Sequence, residues 1–206
     1  MSIVVAVKKH GHTVMAADSL ISFGDMRMPA DNLQVEKIRR VGGSLFASTG
    51  WGLYDNVLDD YLARQPAGEL SDERAIFSFF MALWKELHAR YTLVKDQPDE
   101  DGKSPFGDLD ASFLIANQTG IFHVGSDMSV SRMHQYCAIG SGGDYGLGAL
   151  HALYGQNLDA ETIARCAVET ACAFDTKCGG EILVRHVDEA RASEPKTAVA
   201  CLTLTE

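Results

Sequence analysis

The sequence predicts an α+β fold: a four-layer αββα sandwich in which two antiparallel sheets pack face to face and helices cover the outer sides. Three observations carry this expectation. Segments with the two-residue period of strands come in blocks at the start, middle and end of the chain, and each pair of blocks is separated by two segments of helical period. Successive strand segments are joined by short turns, which make hairpins. The strict β-α-β alternation that builds a parallel sheet is absent. At 206 residues, 46% of them hydrophobic, the chain is long enough to support a real core, and no linker divides it, so residues 1–206 read as one domain.

Taken in order, "SIVVAVKK" and "HTVMAAD" alternate about Gly11 and predict the first hairpin, and "QVEKIRRVGGSLFAST" repeats the pattern about Gly42 and Gly43. Four strands therefore come first. From Gly50 to Arg64 the apolar period becomes helical. A second helix over Ser71–Arg90 carries Ile76, Phe79, Phe80, Leu83, Trp84 and Leu87 on one broad face, with Ser71 as its cap. An acidic loop follows at about 95–109, "DQPDEDGKSPFGD", too polar to pack and too long for a tight turn. If Asp96, Asp99, Glu100, Asp101 and Asp108 line a pore or chamber, their field favours cationic substrates. Strands return in "ASFLIAN", "GIFHVGS" and "QYCAIG", helices at Gly143–Tyr154 and Asp159–Phe174, the latter capped by Asp159, and the chain closes on the strands "EILVRHV" and "AVACLTLT".

Composition narrows the function. The formal charge of −10 argues against a nucleic-acid surface, which relies on clustered Lys and Arg. No run of about 18 apolar residues and no secretory signal is present, so the cytoplasm is the expected compartment and no membrane partner is expected. Five cysteines, Cys137, Cys166, Cys172, Cys178 and Cys201, never form Cys-x-x-Cys and read mostly as buried thiols. His10, His12, His123 and His186 lack metal-ligand spacing, so no metal site is expected. One question remains at the start of the chain: the first strand begins a single residue after Met1, where chains ordinarily fray. Either that strand is pinned into a sheet, or the terminus is itself the working part.

A resemblance bears on the question. "SIVVAVKKHGHTVMAADSLISFG", "VEKIRRV", "AIGSGGDY" and "FDTKCGG" occur in the order and approximate spacing of the proteasome β-type family, which includes the bacterial HslV peptidases; the HslV-related betaproteobacterial proteasome homologues are the nearest group. Nearly the whole chain is covered apart from the acidic loop. The resemblance implies an N-terminal nucleophile (Ntn) hydrolase, whose first mature residue attacks the peptide carbonyl with its own α-amine as base. That residue is Thr in most members. Here it is Ser2, exposed by removal of Met1, and a serine hydroxyl needs such an adjacent base to attack. Ser lacks the methyl that restricts the Thr rotamer, so it is less preorganised.

By the same resemblance Lys37 in "VEKIRR" lies beside the nucleophile and lowers its effective pKa, and Asp18 is the carboxylate that pairs with Lys37. Period two puts Lys37 and Arg39 on one strand face, and an inward lysine needs such a partner. Ser141 and Asp175 match the polar residues that orient the terminal amine. The family commonly has Ser where this chain has Cys178, a weaker donor. Ser22 matches the residue that pairs with the substrate backbone, and Gly50 in "STGWG" is the glycine whose N–H contributes the oxyanion hole, with Trp51–Gly52 replacing a smaller family pattern. Ile21 and Val35 lie near the first specificity pocket and favour an apolar side chain. No cofactor is required. The resemblance further implies peptide or unfolded-protein substrates and a homo-oligomeric double ring of 14 or, alternatively, 12 subunits, and leaves an ATP-dependent unfoldase partner open.

Taken singly, these residues have plainer readings. Ser2 is a common residue after an initiator Met, Lys37 a surface cation, Asp18 a turn cap, Ser141 a helix N-cap and Asp175 a helix-end turn residue. Two other functions compete. "YCAIGSGGDYG" is a glycine-rich turn before a helix, but Tyr145 occupies the sixth position where a dinucleotide fingerprint needs glycine. A proteasome-like ring scaffold that retains Met1 and has no peptidase activity is the stronger alternative.

Overall fold

The computed structural model describes residues 2–23, 26–28, 32, 36–91 and 108–188. Strand β1 (Val4–Lys9) lies between β10 (Tyr136–Ile139) and β2 (His12–Asp18), and β11 (Ile182–His186) pairs with the far edge of β2. Among the described residues this sheet has four strands and all its pairings are antiparallel, with Val4 opposite Ala17 on one side and Ile139 on the other. The second sheet is also antiparallel and runs in order β5 (Ile38–Val41), β6 (Ser44–Gly50), β7 (Ala111–Ala116), β8 (Ile121–Val124) and β9 (Val130–Met133). A small hairpin, β3 (Ile21–Phe23) with β4 (Met26–Met28), stands apart from both.

Strand alternation creates the layers. In the first sheet Ile3, Val5 and Val7 point one way, into a cluster with Ile163, Ala164, Ala167, Val168 and Ala171 of α4 (Ala160–Phe174) and Leu150 of α3 (Gly143–Tyr154). Val4 and Ala6 point the other way and meet Ile38, Leu45, Ala47, Leu114 and Ala116 of the second sheet. The opposite parity of the second sheet, Phe46, Phe113 and Ile115, packs under α1 (Leu53–Arg64) and α2 (Glu73–Arg90). Four layers result, helices over sheet over sheet over helices, as the sequence predicts. Because both faces of each sheet are covered, strands such as "IVVAV" and "FLIA" are apolar nearly throughout.

Several local expectations need correction. Among the described residues six strands, not four, precede the first helix, and β9 is additional, because three- and four-residue segments such as "ISF", "MRM" and "VSRM" are too short to show a period. Helix α1 starts at Leu53, since residue 50 completes β6 and 51–52 turn the chain. Helix α2 is capped by Asp72, whose carboxylate accepts from the Ala75 N–H at 2.8 Å, rather than by Ser71. Asp159 caps α4, accepting from the Thr162 N–H at 2.7 Å. Of the cysteines, Cys137 and Cys178 are buried, but Cys166 and Cys172 are only half-buried on the flanks of α4. The strand "AVACLTLT", with Cys201, and the acidic loop apart from Asp108 and Leu109 lie outside the described residues.

Helix α2 is held by an aromatic cluster: Phe80 lies with ring centroids 4.7 Å from Phe113, 5.4 Å from Phe79 and 6.2 Å from Phe46. Phe80 is fully buried, whereas Phe77 on the same helix is 47% exposed. Phe80→Ala is therefore expected to cost about 3–5 kcal/mol in chemical denaturation, and Phe77→Ala less than about 1 kcal/mol. Equal costs would contradict the assignment of the inward face.

Candidate active site

The site forms where the first residues of β1 meet the end of β2, the approach to β5 and the loop after α4. Strand β1 is central in its sheet, so its ladder on both sides pins a chain end that otherwise frays. The pinning continues past the strand. The Asp18 N–H donates to the Ile3 carbonyl at 3.3 Å, and the Gly142 N–H donates to the Ser2 carbonyl at 3.3 Å. Ser2 is thereby held at 9% exposure.

Asp18, the last residue of β2, is fully buried. One carboxylate oxygen accepts from the Ile3 N–H at 3.1 Å and from Lys37 Nζ at 2.7 Å; the other accepts from the Gly179 N–H at 3.0 Å. Lys37 arrives on the segment just before β5, and its ammonium uses three donors: to Asp18, to the Leu20 carbonyl at 2.7 Å and to Ser2 Oγ at 2.9 Å. A positive charge is thus hydrogen-bonded to the Ser2 hydroxyl and neutralised by a buried carboxylate. Lys37 and Arg39 do not share a destination. Residue 37 precedes the first ladder residue of β5, so period two does not govern it, and Arg39 turns instead to Asp55 and Asp59 of α1.

Ser141 and Asp175 come together beside this group. Ser141 does not cap α3, whose N-cap is Gly142. Its side chain donates instead to Asp175, which ends α4. Burial pushes the Asp175 carboxyl up, but hydrogen bonds from Ser141, from the Lys177 N–H at 2.9 Å and from the Cys178 thiol at 3.4 Å outweigh it and leave the group below the usual carboxylate range. The Cys178 thiol is itself pushed up to about 12 by burial and by the nearby Asp18 and Asp175. It stays protonated, which is the state that donates.

Glycines allow the close approaches. At Gly140, where φ is +98°, an added Cβ would lie 2.1 Å from the Ser2 carbonyl oxygen and 3.1 Å from Thr49 Cγ2. A Cβ at Gly142 would lie 2.8 Å from both Ala171 Cβ and Cys178 Sγ. Gly50, at the end of β6, has φ +140°, and a Cβ there would lie 2.8 Å from the Asp110 carbonyl. Ser22 and Ile21 lie on β3, Ser22 opposite Arg27 in register. Val35 and Met1 lie outside the described residues.

Sequence reasoning missed the backbone part of the site. The Gly179 N–H and the Leu20 carbonyl each fill a position on Asp18 or Lys37. The only signals for them were the two glycines of "CGG" and the position of Leu20 two residues after Asp18.

No protein-family model matches the chain. Among solved structures it is similar to Thiobacillus denitrificans BPH in complex with epoxomicin, with 33% identity and a TM-score of 0.79 over 89% of this chain and 97% of that one. It is 27% identical over 192 residues to the ATP-dependent protease subunit HslV of Hyphomonas neptunium, covering 90% of this chain and 91% of the relative. A eukaryotic HslV from Trypanosoma brucei shares the fold, with a TM-score of 0.64 at 20% identity, covering 89% of this chain and 98% of that one. Together these likenesses define a proteasome-type protease of the N-terminal-nucleophile class. More narrowly, the chain belongs to the HslV-like proteasome β-type family.

The Lys37–Asp18 pair is largely buried, so removing one partner leaves the other as an uncompensated charge. Lys37→Met is expected to cost about 3–5 kcal/mol in urea unfolding, and adding Asp18→Asn to recover part of that loss. A single substitution without effect would mean that the pair contributes nothing to the fold.

Proposed function

We propose that this protein is a peptidase that uses Ser2, freed by removal of Met1, as its N-terminal nucleophile. The observation that carries this reading is the Lys37 ammonium, which donates at once to Ser2 Oγ at 2.9 Å and to buried Asp18 at 2.7 Å. Such a charge lowers the cost of forming a serine alkoxide and of the oxyanion that follows. The α-amine, with an ordinary pKa of about 7.7–8.0, is a base matched to neutral pH.

The steps balance as acyl transfer. Ser2 Oγ bonds to the scissile carbonyl carbon while its proton moves to the α-amine, and the resulting oxyanion takes a hydrogen bond from a backbone amide, assigned to Gly50. The intermediate then breaks its C–N bond, and the α-ammonium returns the proton to the leaving amine. Water, deprotonated by the same α-amine, hydrolyses the Ser2 ester and restores the enzyme. Ser141 and Asp175 orient the α-amine, Ser22 on β3 pairs with the substrate backbone, and Ile21 borders an apolar specificity pocket. All of this uses the chain's own groups.

One of the named relatives, HslV of Hyphomonas neptunium, is an ATP-dependent protease subunit. By that likeness we extend the proposal to a homo-oligomeric double ring, of 14 or 12 subunits, that cleaves peptides or unfolded proteins delivered by an ATP-driven partner.

Intact mass before and after a peptide epoxyketone, which reacts with both the hydroxyl and the free α-amine, tests the nucleophile. The expected result is loss of Met1 and one adduct per chain, absent in Ser2→Ala. Retained Met1 without an adduct would favour a ring scaffold without peptidase activity. A pH profile tests the amine-orienting pair. The depressed Asp175 carboxyl stays ionised to lower pH than an ordinary one, and its effect is lost only as pH falls through its own pKa. Ser141→Ala removes a donor, raises that pKa and should shift the acid limb of kcat/KM to higher pH; an unmoved limb would detach Asp175 from the mechanism.

A further inference from the structure

We propose that Trp51 is a substrate-contacting side chain whose indole face forms a wall against which an apolar or aromatic side chain of the bound peptide packs. The inference rests on the peptidase reading above and adds a specificity determinant to the same site. Its first support is position. Thr49 reaches the space beside Gly140, where the Ser2 carbonyl also lies, and Gly50 follows in a backbone conformation tight against Asp110 and Ala111. Trp51 is the next residue, two positions after Thr49, where the chain leaves β6 for α1.

Its second support is exposure combined with rigidity. Trp51 is 69% exposed, the most exposed large hydrophobic side chain among the described residues. Trp84, by contrast, packs against the core. Tyr145 and Phe174, also exposed, stack on each other with centroids 5.6 Å apart. Trp51 has no such ring partner among the described residues, yet it is anchored. Its indole N–H donates to Asp110 Oδ2 at 2.6 Å, the Asp110 N–H donates to Asp108 Oδ1 at 2.6 Å, and Ser126 Oγ donates to Asp108 Oδ2 at 2.9 Å. The backbone is fixed as well, because the Trp51 carbonyl accepts from the Tyr54 N–H at 3.0 Å.

The chemistry follows from that anchoring. An indole has one donor, and here it is occupied, so what remains for a ligand is two apolar π-faces. A ring already held in place loses little conformational entropy when something packs on it, and the water released from an exposed aromatic face favours contact. The occupant that suits such a wall is a large apolar or aromatic side chain of the peptide near the scissile bond. A small side chain reaches too little of the face to gain from it.

Binding to the full-length Ser2→Ala protein, which cannot cleave, reads this contact without chemistry. Short peptide amides carrying an N-terminal fluorescein and Phe, Leu or Ala at each position in turn are titrated by fluorescence anisotropy, and their unlabelled acetylated counterparts by tryptophan emission. The expected result is a preference for Phe over Ala of about threefold to tenfold at one position, the size of one aromatic contact, with a change in emission. Trp51→Ala should abolish both the preference and the emission change, whereas Trp51→Phe should keep the preference. Undiminished preference in Trp51→Ala, no emission change on binding, or no peptide binding at all would overturn the proposal. Epoxyketone labelling of the Ser2-bearing protein is scored separately. Labelling without Trp51-dependent binding would sink this inference and spare the nucleophile; Trp51-dependent binding without labelling would do the reverse.

Discussion

The buried carboxylate of Asp18 is the constraint around which the rest of the site is arranged. A charge with no solvent exposure is tolerated only when paired and fully hydrogen-bonded, and the three groups that satisfy it come from three distant parts of the chain. The Ile3 N–H fixes the start of β1, the Lys37 ammonium fixes the approach to β5, and the Gly179 N–H fixes the loop between α4 and β11. One side chain therefore ties the first sheet, the second sheet and the helical layer together at the point where Ser2 emerges. Burial makes the arrangement brittle as well as exact, since loss of any partner exposes a low-dielectric environment to an unmatched charge.

Backbone packing supplies the remaining precision. Chain segments approach one another around Ser2 more closely than side chains permit, which is why glycine occupies positions 140 and 142 on one side and 180, where a Cβ would lie 2.4 Å from Ser19 Oγ, on another. The Ser19 hydroxyl accepts from the Glu181 N–H at 2.7 Å, and the Ser19 and Leu20 N–H groups both donate to the Gly179 carbonyl. The end of β2 is thus stitched to the loop that carries Cys178 and Asp175. A neutral thiol takes the place of a hydroxyl there, and its high pKa keeps it a donor. Beside the contact from sulfur, Asp175 receives hydrogen bonds from Ser141 and from the Lys177 N–H.

The layered architecture explains why a chain end can serve as a rigid platform. Terminal residues usually have solvent on one side, but β1 has a strand on each edge, a helical layer on one face and the second sheet on the other. The sheet that holds β1 in place also holds Ser2, through the Gly142 N–H that donates to the Ser2 carbonyl. Rigidity at this point favours in-place chemistry, since a mobile nucleophile would lose the alignment with Lys37 on which the proposed function depends.

By itself the sequence determined the blocks of longer strands and helices, their antiparallel hairpins and the αββα layering that follows from their order, because periodicity and turn residues are local properties; the short strands β3, β4 and β9 carry too few residues to show a period. It also carried the identities of Ser2, Asp18, Lys37, Ser141 and Asp175 through their motifs, though singly each had a plainer reading. Only the tertiary structure decided that Lys37 leaves the parity of its strand, that Ser141 reaches Asp175 instead of capping α3, and that Asp72 takes the cap from Ser71. The same holds for the partners of Asp18, two of which are backbone amides. Every residue but proline carries such a group, so no sequence pattern marks which ones will point at a charge; that is settled only when sheets and loops pack and a buried carboxylate must be satisfied.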